Sequence, residues 1–167
     1  MYLTGYHGTT LAHANKILTE HKFYTSRSDH EWLADGIYFY YNIEDALNWR
    51  DNEVIIHSLI KIKDTEFLDM DSDRGKELFF KVYNKIASMQ EENGNKKNYS
   101  AHQNQCAIMR AIWNLLPNAK VIAASLPPIP SRIPVIFDAR PKRREFCVRS
   151  NDYIKYMHLI KRGEIND

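Results

Sequence analysis

Tyr2-Leu3-Thr4-Gly5-Tyr6-His7-Gly8-Thr9-Thr10 opens the chain with aromatic and β-branched residues that run up to a glycine. Such side chains fit a pleated, half-buried surface, so the run predicts a short strand over Tyr2 to His7. Thr9 or Thr10 then supplies a hydroxyl suited to capping a helix. In the following TTLAHANKILTEH, Leu11, Ala14 and Leu18 recur at helical spacing, which predicts one modest amphipathic helix. The first unit of the fold is therefore a strand, a His-Gly pair and a helix in direct succession.

Working outward, Gly36-Ile37-Tyr38-Phe39-Tyr40 is short, aromatic and led by a glycine, so it predicts a strand entered through a bend. Asn42 is placed to cap a short helix over IEDALNWR, whose acidic first turn suits the helix dipole. Val54 to Ile62 sets Val54, Ile56, Ile60 and Ile62 on one face of a further strand. From Ser72 to about Gln90, Leu78, Val82 and Ile86, with Phe79 and Met89, predict a longer helix. The polar tract EENGNKKNYS after it reads as a loop or an insertion. Cys106, Met109 and Trp113 make the core stripe of a helix over Gln103 to Leu115 that stops before Pro117. Val121 to Ala124 is expected to be a strand, whereas PPIPSRIP, with four prolines in eight residues, reads as an extended surface arm. Arg144 to Arg149 and a tail around Tyr156 to Ile160 supply the last strands. Strands and helices are interspersed with too few β-α-β units for a wound parallel sheet, so the expected class is α+β, as one domain over residues 1–167.

Composition narrows the function classes. Apolar residues make up 44% and charged residues 26% of the chain, the balance of a globular protein with a packed core. No apolar run approaches the roughly 20 residues that span a bilayer, and the N-terminus lacks the layout of a secretory signal, so a cytoplasmic protein with no membrane partner is expected. Cys106 and Cys147 lack a paired C-x-x-C spacing and suit small buried thiols. The net charge of +2 does not announce nucleic-acid binding. The densest basic stretch, Arg140-Pro141-Lys142-Arg143-Arg144, either meets phosphates or is a solvated loop. No zinc spacing, other metal-ligand cluster, Ser-His-Asp arrangement or phosphate-cradling glycine loop is present in the sequence.

Three short motifs carry a resemblance. A His-Gly pair between strand and helix, at Tyr6-His7-Gly8-Thr9, is followed by Gly-Ile-Tyr-Phe at 36–39 and by a strand containing Glu145, Phe146 and Val148. In this order they resemble the ADP-ribosyltransferases of the diphtheria-toxin and poly(ADP-ribose) polymerase type, which are marked by a His, a Tyr and a Glu on three separate strands. Trp49, eleven residues after Tyr38, and Ile154, nine after Glu145, match further positions of that pattern. The chain departs from it at Ala46, where polymerase-type members carry a serine that binds the nicotinamide amide. The resemblance implies split antiparallel β-sheets with flanking helices around an NAD+ cleft. It further implies His7, Tyr38 and Glu145 as catalytic residues, and NAD+ as co-substrate held at His7, Gly8, Thr9, Ser26, Tyr38 and Trp49.

The chemistry of each residue type suits those roles. Breaking the nicotinamide–ribose bond builds oxocarbenium character that a carboxylate stabilises, a task for Glu145 on the polar face of an edge strand. Tyr38 and Trp49 are expected to sandwich the cationic nicotinamide ring, with a cation–π contribution of roughly 0.5–2 kcal/mol. His7 is expected to hold a ribose hydroxyl, while Gly8 lets the backbone approach the carboxamide. Arg143, Arg144 and Arg149, with Lys142, flank the glutamate and are expected to guide a macromolecular acceptor, either nucleic acid through its phosphates or an acidic protein. A small stand-alone transferase of this kind resembles bacterial or phage toxins and defence proteins, with an antitoxin or regulator as a further partner. An NAD+ glycohydrolase or related phosphotransfer enzyme, and a non-catalytic nucleotide- or partner-binding module, are the alternatives on the same fold.

Overall fold

The computed structural model describes residues 1–28, 31–49, 52–92, 100–126 and 143–165. Residues 93–99 of the polar tract, the PPIPSRIP arm and positions 140–142 of the basic stretch lie outside the described residues.

The opening strand, β1 (Tyr2–Thr9), runs its whole length antiparallel to β3 (Val54–Lys61), in register from Tyr2 with Lys61 to Thr9 with Val54. On the other side of β3 lies β7 (Ile154–Lys161), whose pairing shifts register between Leu59 and Ile60. A second group forms around β6 (Arg143–Val148), which pairs with β2 (Ile37–Tyr40) on one side and β5 (Val121–Leu126) on the other. A short β4 (Phe67–Asp69) adds to β5 in parallel. The result is a seven-stranded, mostly antiparallel sheet in the order β4-β5-β6-β2-β1-β3-β7. The α+β class is thus present. Where the resemblance implied two split sheets, the described strands form one sheet, in which β1 and β2 share a single registered pair, Tyr6 with Tyr40.

Helix α1 (Leu11–Glu20) begins at Thr10, whose hydroxyl accepts from the His13 N–H, and ends at His21, which takes the left-handed conformation at φ 49°. It buries Ala14 and Ile17, while Leu11 of the predicted stripe is exposed. Asn42 caps α2 (Ile43–Asn48) by accepting from the Glu44 N–H at 2.7 Å. A capping box between Ser100 and Gln103 starts α4 (Ala101–Leu115), which with α3 (Asp73–Glu92) forms the crossover that the parallel β4–β5 pair requires. Cys106, Met109 and Trp113 face the core as expected, and Phe79 and Val82 do so from α3, but Met89 is exposed. Strand β4 escapes the sequence reading because only three residues form it, next to the polar turn Asp64–Glu66.

Each face of the sheet is covered differently. One face carries Leu3, Phe39, Val54, Ile56, Phe146 and Val148 into a core closed by Ala14 and Ile17 of α1 and by Phe23. On the other, α3 and α4 cover Ile122, Ala124 and Cys147, while α2 seals Tyr40, Ala46, Leu47 and Ile55 into a smaller cluster. Both cysteines are buried, and no disulfide joins them. No helix among the described residues is long and apolar enough to cross a membrane.

Aromatic stacking fixes where the sheet parts. The Phe146 ring lies on Phe39, centroids 5.4 Å apart, and fills the space over Gly5, where an added Cβ would stand 2.5 Å from Phe146 Cζ and 2.8 Å from Phe39 Cβ. Both rings are fully buried, so neither can swing into solvent. Replacing Gly5 with Ala is expected to lower stability by about 1–3 kcal/mol through overpacking, read as an earlier urea midpoint at unchanged m-value.

Candidate active site

The three residues singled out in the sequence sit on three consecutive strands of the sheet, His7 on β1, Tyr38 on β2 and Glu145 on β6. Register brings Glu145 directly opposite Tyr40, and Tyr38 opposite Cys147, so these side chains share one face. Tyr6, opposite Tyr40 on β1, belongs to the same face. His7 is one residue out of that phase, and its ring packs edge-on against Phe23 and Phe39, at 5.1 and 5.9 Å, on the other face. It nevertheless reaches the seam: His7 Nδ1 lies 2.9 Å from the Tyr38 carbonyl oxygen. A carbonyl only accepts, so Nδ1 carries the proton and Nε2 is left as an acceptor. Burial pushes the imidazole pKa down, against the opposing pull of the Tyr38 carbonyl, which favours this neutral form.

Glu145 is the most unusual carboxylate among the described residues. Its strand is interior, between β5 and β2, and not the edge strand expected from the sequence. The side chain is only 8% exposed. Burial raises its pKa to about 7, with the Arg143 guanidinium and a hydrogen bond from the Tyr40 hydroxyl holding it from rising further. Asp45 on α2 and Glu31, in the segment before β2, press it upward by like charge. Glu31 also acts on Tyr38 and Cys147, and burial is the main cause of the raised pKa of both groups. The centre therefore gathers three carboxylates, Glu31, Asp45 and Glu145, with Arg143 as the basic group beside them.

The aromatic residues divide. The Tyr38 hydroxyl donates to the Ala34 carbonyl at 2.7 Å and accepts from the Leu33 N–H at 2.9 Å, locking the turn in which Ala34 holds φ 78°. Its ring packs toward the cluster under α3 and α4. Trp49, at the C-terminal end of α2, joins the cluster of Tyr40 and lies under the Arg143 guanidinium at 4.6 Å. The expected Tyr38–Trp49 sandwich is thus replaced by an Arg143 that lies over both Trp49 and Tyr40, the latter at 5.8 Å.

Gly8 has a packing reason of its own: a Cβ there would fall 2.2 Å from both the Ala46 carbonyl and Asn52 Nδ2, which bond each other at 2.8 Å. Thr9 ends β1 in register with Val54. Ser26 forms a backbone bridge with Gly36, and its hydroxyl donates to Glu31, so it braces the segment that carries that carboxylate.

Two of the predicted acceptor-guiding arginines have other employment. Arg144 bridges Asp69 at 2.8 Å and Asp71, whose carboxylate also accepts from the Ser125 N–H and hydroxyl, tying β6 to the end of β4. Arg149 donates to the carbonyls of Ala119, Trp113 and Leu116 and stacks 3.8 Å over the Trp113 ring, closing the C-terminal end of α4. Of the three, Arg143 alone stands beside Glu145. Tyr40, Asp45 and Glu31 belong to the centre and escaped the sequence reading. Tyr40 was within reach, since period-two alternation places it on the face of Tyr38, whereas the two acids carry no local signal.

No family model matches the sequence. An uncharacterized protein of Methanocaldococcus jannaschii is 30% identical over 95 residues, covering 50% of this chain and 44% of that protein. The chain thus spans less than half the length of this relative.

A carboxyl group whose pKa rises from 4.5 to about 7 on folding holds its proton in the folded state while the unfolded chain has released it. Stability therefore falls as pH rises through that window, by roughly 3 kcal/mol at most. Glu145→Gln removes the effect. The variant is expected to be the more stable protein in urea unfolding at pH 8, with the difference vanishing by about pH 4.

Proposed function

We propose that the protein is an ADP-ribosyltransferase that cleaves NAD+ at the nicotinamide–ribose bond and transfers ADP-ribose to a macromolecular acceptor. The observation that carries this reading is the placement of Glu145, Tyr38 and His7 on three neighbouring strands, Glu145 and Tyr38 on one face and His7, its ring on the other face, bonded to the Tyr38 carbonyl. The three positions are those singled out by the motifs in the sequence, 138 residues apart from His7 to Glu145.

The electrostatics support it. Glu31, Asp45 and Glu145, grouped where burial raises the glutamate pKa, make a field that favours a positive charge, the character of both the nicotinamide ring and the oxocarbenium-like ribose. As the C–N bond breaks, the electron pair leaves with nicotinamide. The acceptor's nucleophile then bonds to the ribose carbon, and its proton passes to a base. Ionised Glu145 serves both needs, stabilising the cation and taking the proton, and a pKa near 7 suits a group that must do this at neutral pH. The neutral His7 braces the backbone of Tyr38 through its Nδ1 bond, and the Tyr38 hydroxyl, locked to Ala34, fixes the turn that leads into β2.

The test is incubation with labelled NAD+ and cell lysate, followed by separate nuclease and protease digestion of whatever becomes labelled. Glu145→Gln is expected to lose about a hundredfold or more in turnover while still binding NAD+. An unchanged rate in that variant, or no NAD+ consumed by the wild-type chain, overturns the assignment; free ADP-ribose as the sole product marks a glycohydrolase instead.

Activity is expected to climb with pH through about 7 as Glu145 ionises. The Tyr40 hydroxyl bonds the carboxylate and holds its pKa down, so Tyr40→Phe moves the midpoint of the pH–rate profile to higher pH. A profile that stays in place, or moves to lower pH, counts against Glu145 as the titrating group.

A further inference from the structure

The row of the sheet that contains Glu145 does not end at the seam. Register carries it on from Tyr40 to Tyr6, His57 and His158, across β1, β3 and β7. Helix α2 covers Tyr40, the neighbouring Ile55 and part of Tyr6, whereas the outer part of this face, toward β7, is left open among the described residues. Tyr156 is 50% and Tyr2 59% exposed, and His158 is exposed beside them.

The rings are ordered relative to one another. Tyr6 stacks on His57 with centroids 5.3 Å apart, Tyr156 stacks on His158 at 6.3 Å, and His57 meets Tyr156 edge-on at 6.0 Å. At the lower end Lys61 lies over the Tyr2 ring at 5.6 Å. Alternation along the three strands places Tyr2, Tyr6, His57, Lys61, Tyr156 and His158 on this face, and none of the positions sharing it with them is a carboxylate. An uncovered sheet face with several π surfaces, imidazoles and a lysine, and with no acid, is a poor match for water and for acidic or aliphatic partners alike. It matches unpaired bases, whose flat faces stack on aromatic rings while the phosphates meet cations.

We infer that this face of β1, β3 and β7 binds single-stranded nucleic acid, the acceptor of ADP-ribose. The inference rests on the transferase reading above and names its acceptor. Burial and the adjacent His158 keep the His57 imidazole below its usual range, so it presents a neutral ring at pH 7.

The test is fluorescence anisotropy of the full chain with a fluorescein-labelled single-stranded oligonucleotide of mixed sequence, about 12 nucleotides long, measured without NAD+. Tyr156→Ala and His158→Ala are both exposed, edge-strand changes, and each is expected to weaken binding about tenfold. Tyr156→Phe, which keeps the ring, is expected to restore it. Binding is expected to weaken as salt rises. No binding by the wild-type chain, equal binding by the two alanine variants, or displacement by poly-glutamate as effective as by unlabelled oligonucleotide overturns the proposal. NAD+ turnover by the wild-type chain is measured separately with no oligonucleotide present. Its absence strikes the reading of Glu145, whereas loss of oligonucleotide binding alone strikes this surface.

Discussion

The seam between β1 and β2 organises the molecule. One registered pair, Tyr6 with Tyr40, joins two groups of strands that are each internally well paired, and the bond from His7 Nδ1 to the Tyr38 carbonyl adds a side-chain rung beside it. The cost of unpaired backbone is limited by Gly5, over which Phe146 and Phe39 close tightly on the apolar side. The seam is therefore held from one face by aromatic packing and covered from the other by α2.

On that other face the polar centre is defined by what surrounds the carboxylate. Glu145 is kept near neutrality by burial, and its immediate companions either bond it, as Tyr40 does, or crowd it with like charge, as Asp45 and Glu31 do. Arg143 offsets part of this and in turn rests on Trp49 and Tyr40. The neighbouring guanidinium groups of Arg144 and Arg149 are bound to Asp69, Asp71 and helix carbonyls, so they build the scaffold around the centre. A basic run read in one dimension thus separates, once folded, into residues pointing to three different places.

Much of this was legible in the chain. Aromatic and β-branched runs gave β1, β2 and β3, and the caps at Thr10 and Asn42 fixed two helix starts, because both signals are local. The three residues that carry the resemblance stand out because each lies in a short motif of its own. What could not be read depended on partners distant in sequence. The interior position of β6 comes from its pairing with β5, and the trapping of Trp49 by Arg143 comes from a contact across 94 positions. Strand β4 owes its existence to β5, 54 residues later at the Phe67–Val121 pair, and its own three residues carry too little periodicity to announce it.

The register shift between Leu59 and Ile60 bears on the outer margin of the sheet. Strand β7 is terminal in the order, so one side of its backbone has no partner strand among the described residues. An unbroken, flat margin of that kind would invite a second molecule to add on as an eighth strand. The irregularity twists the strand locally, and exposed Lys155 and Lys161 set like charges along it, so that two such margins repel when they approach. A chain that leaves rings bare on its surface is thereby guarded against self-templating growth at the place where growth would be easiest.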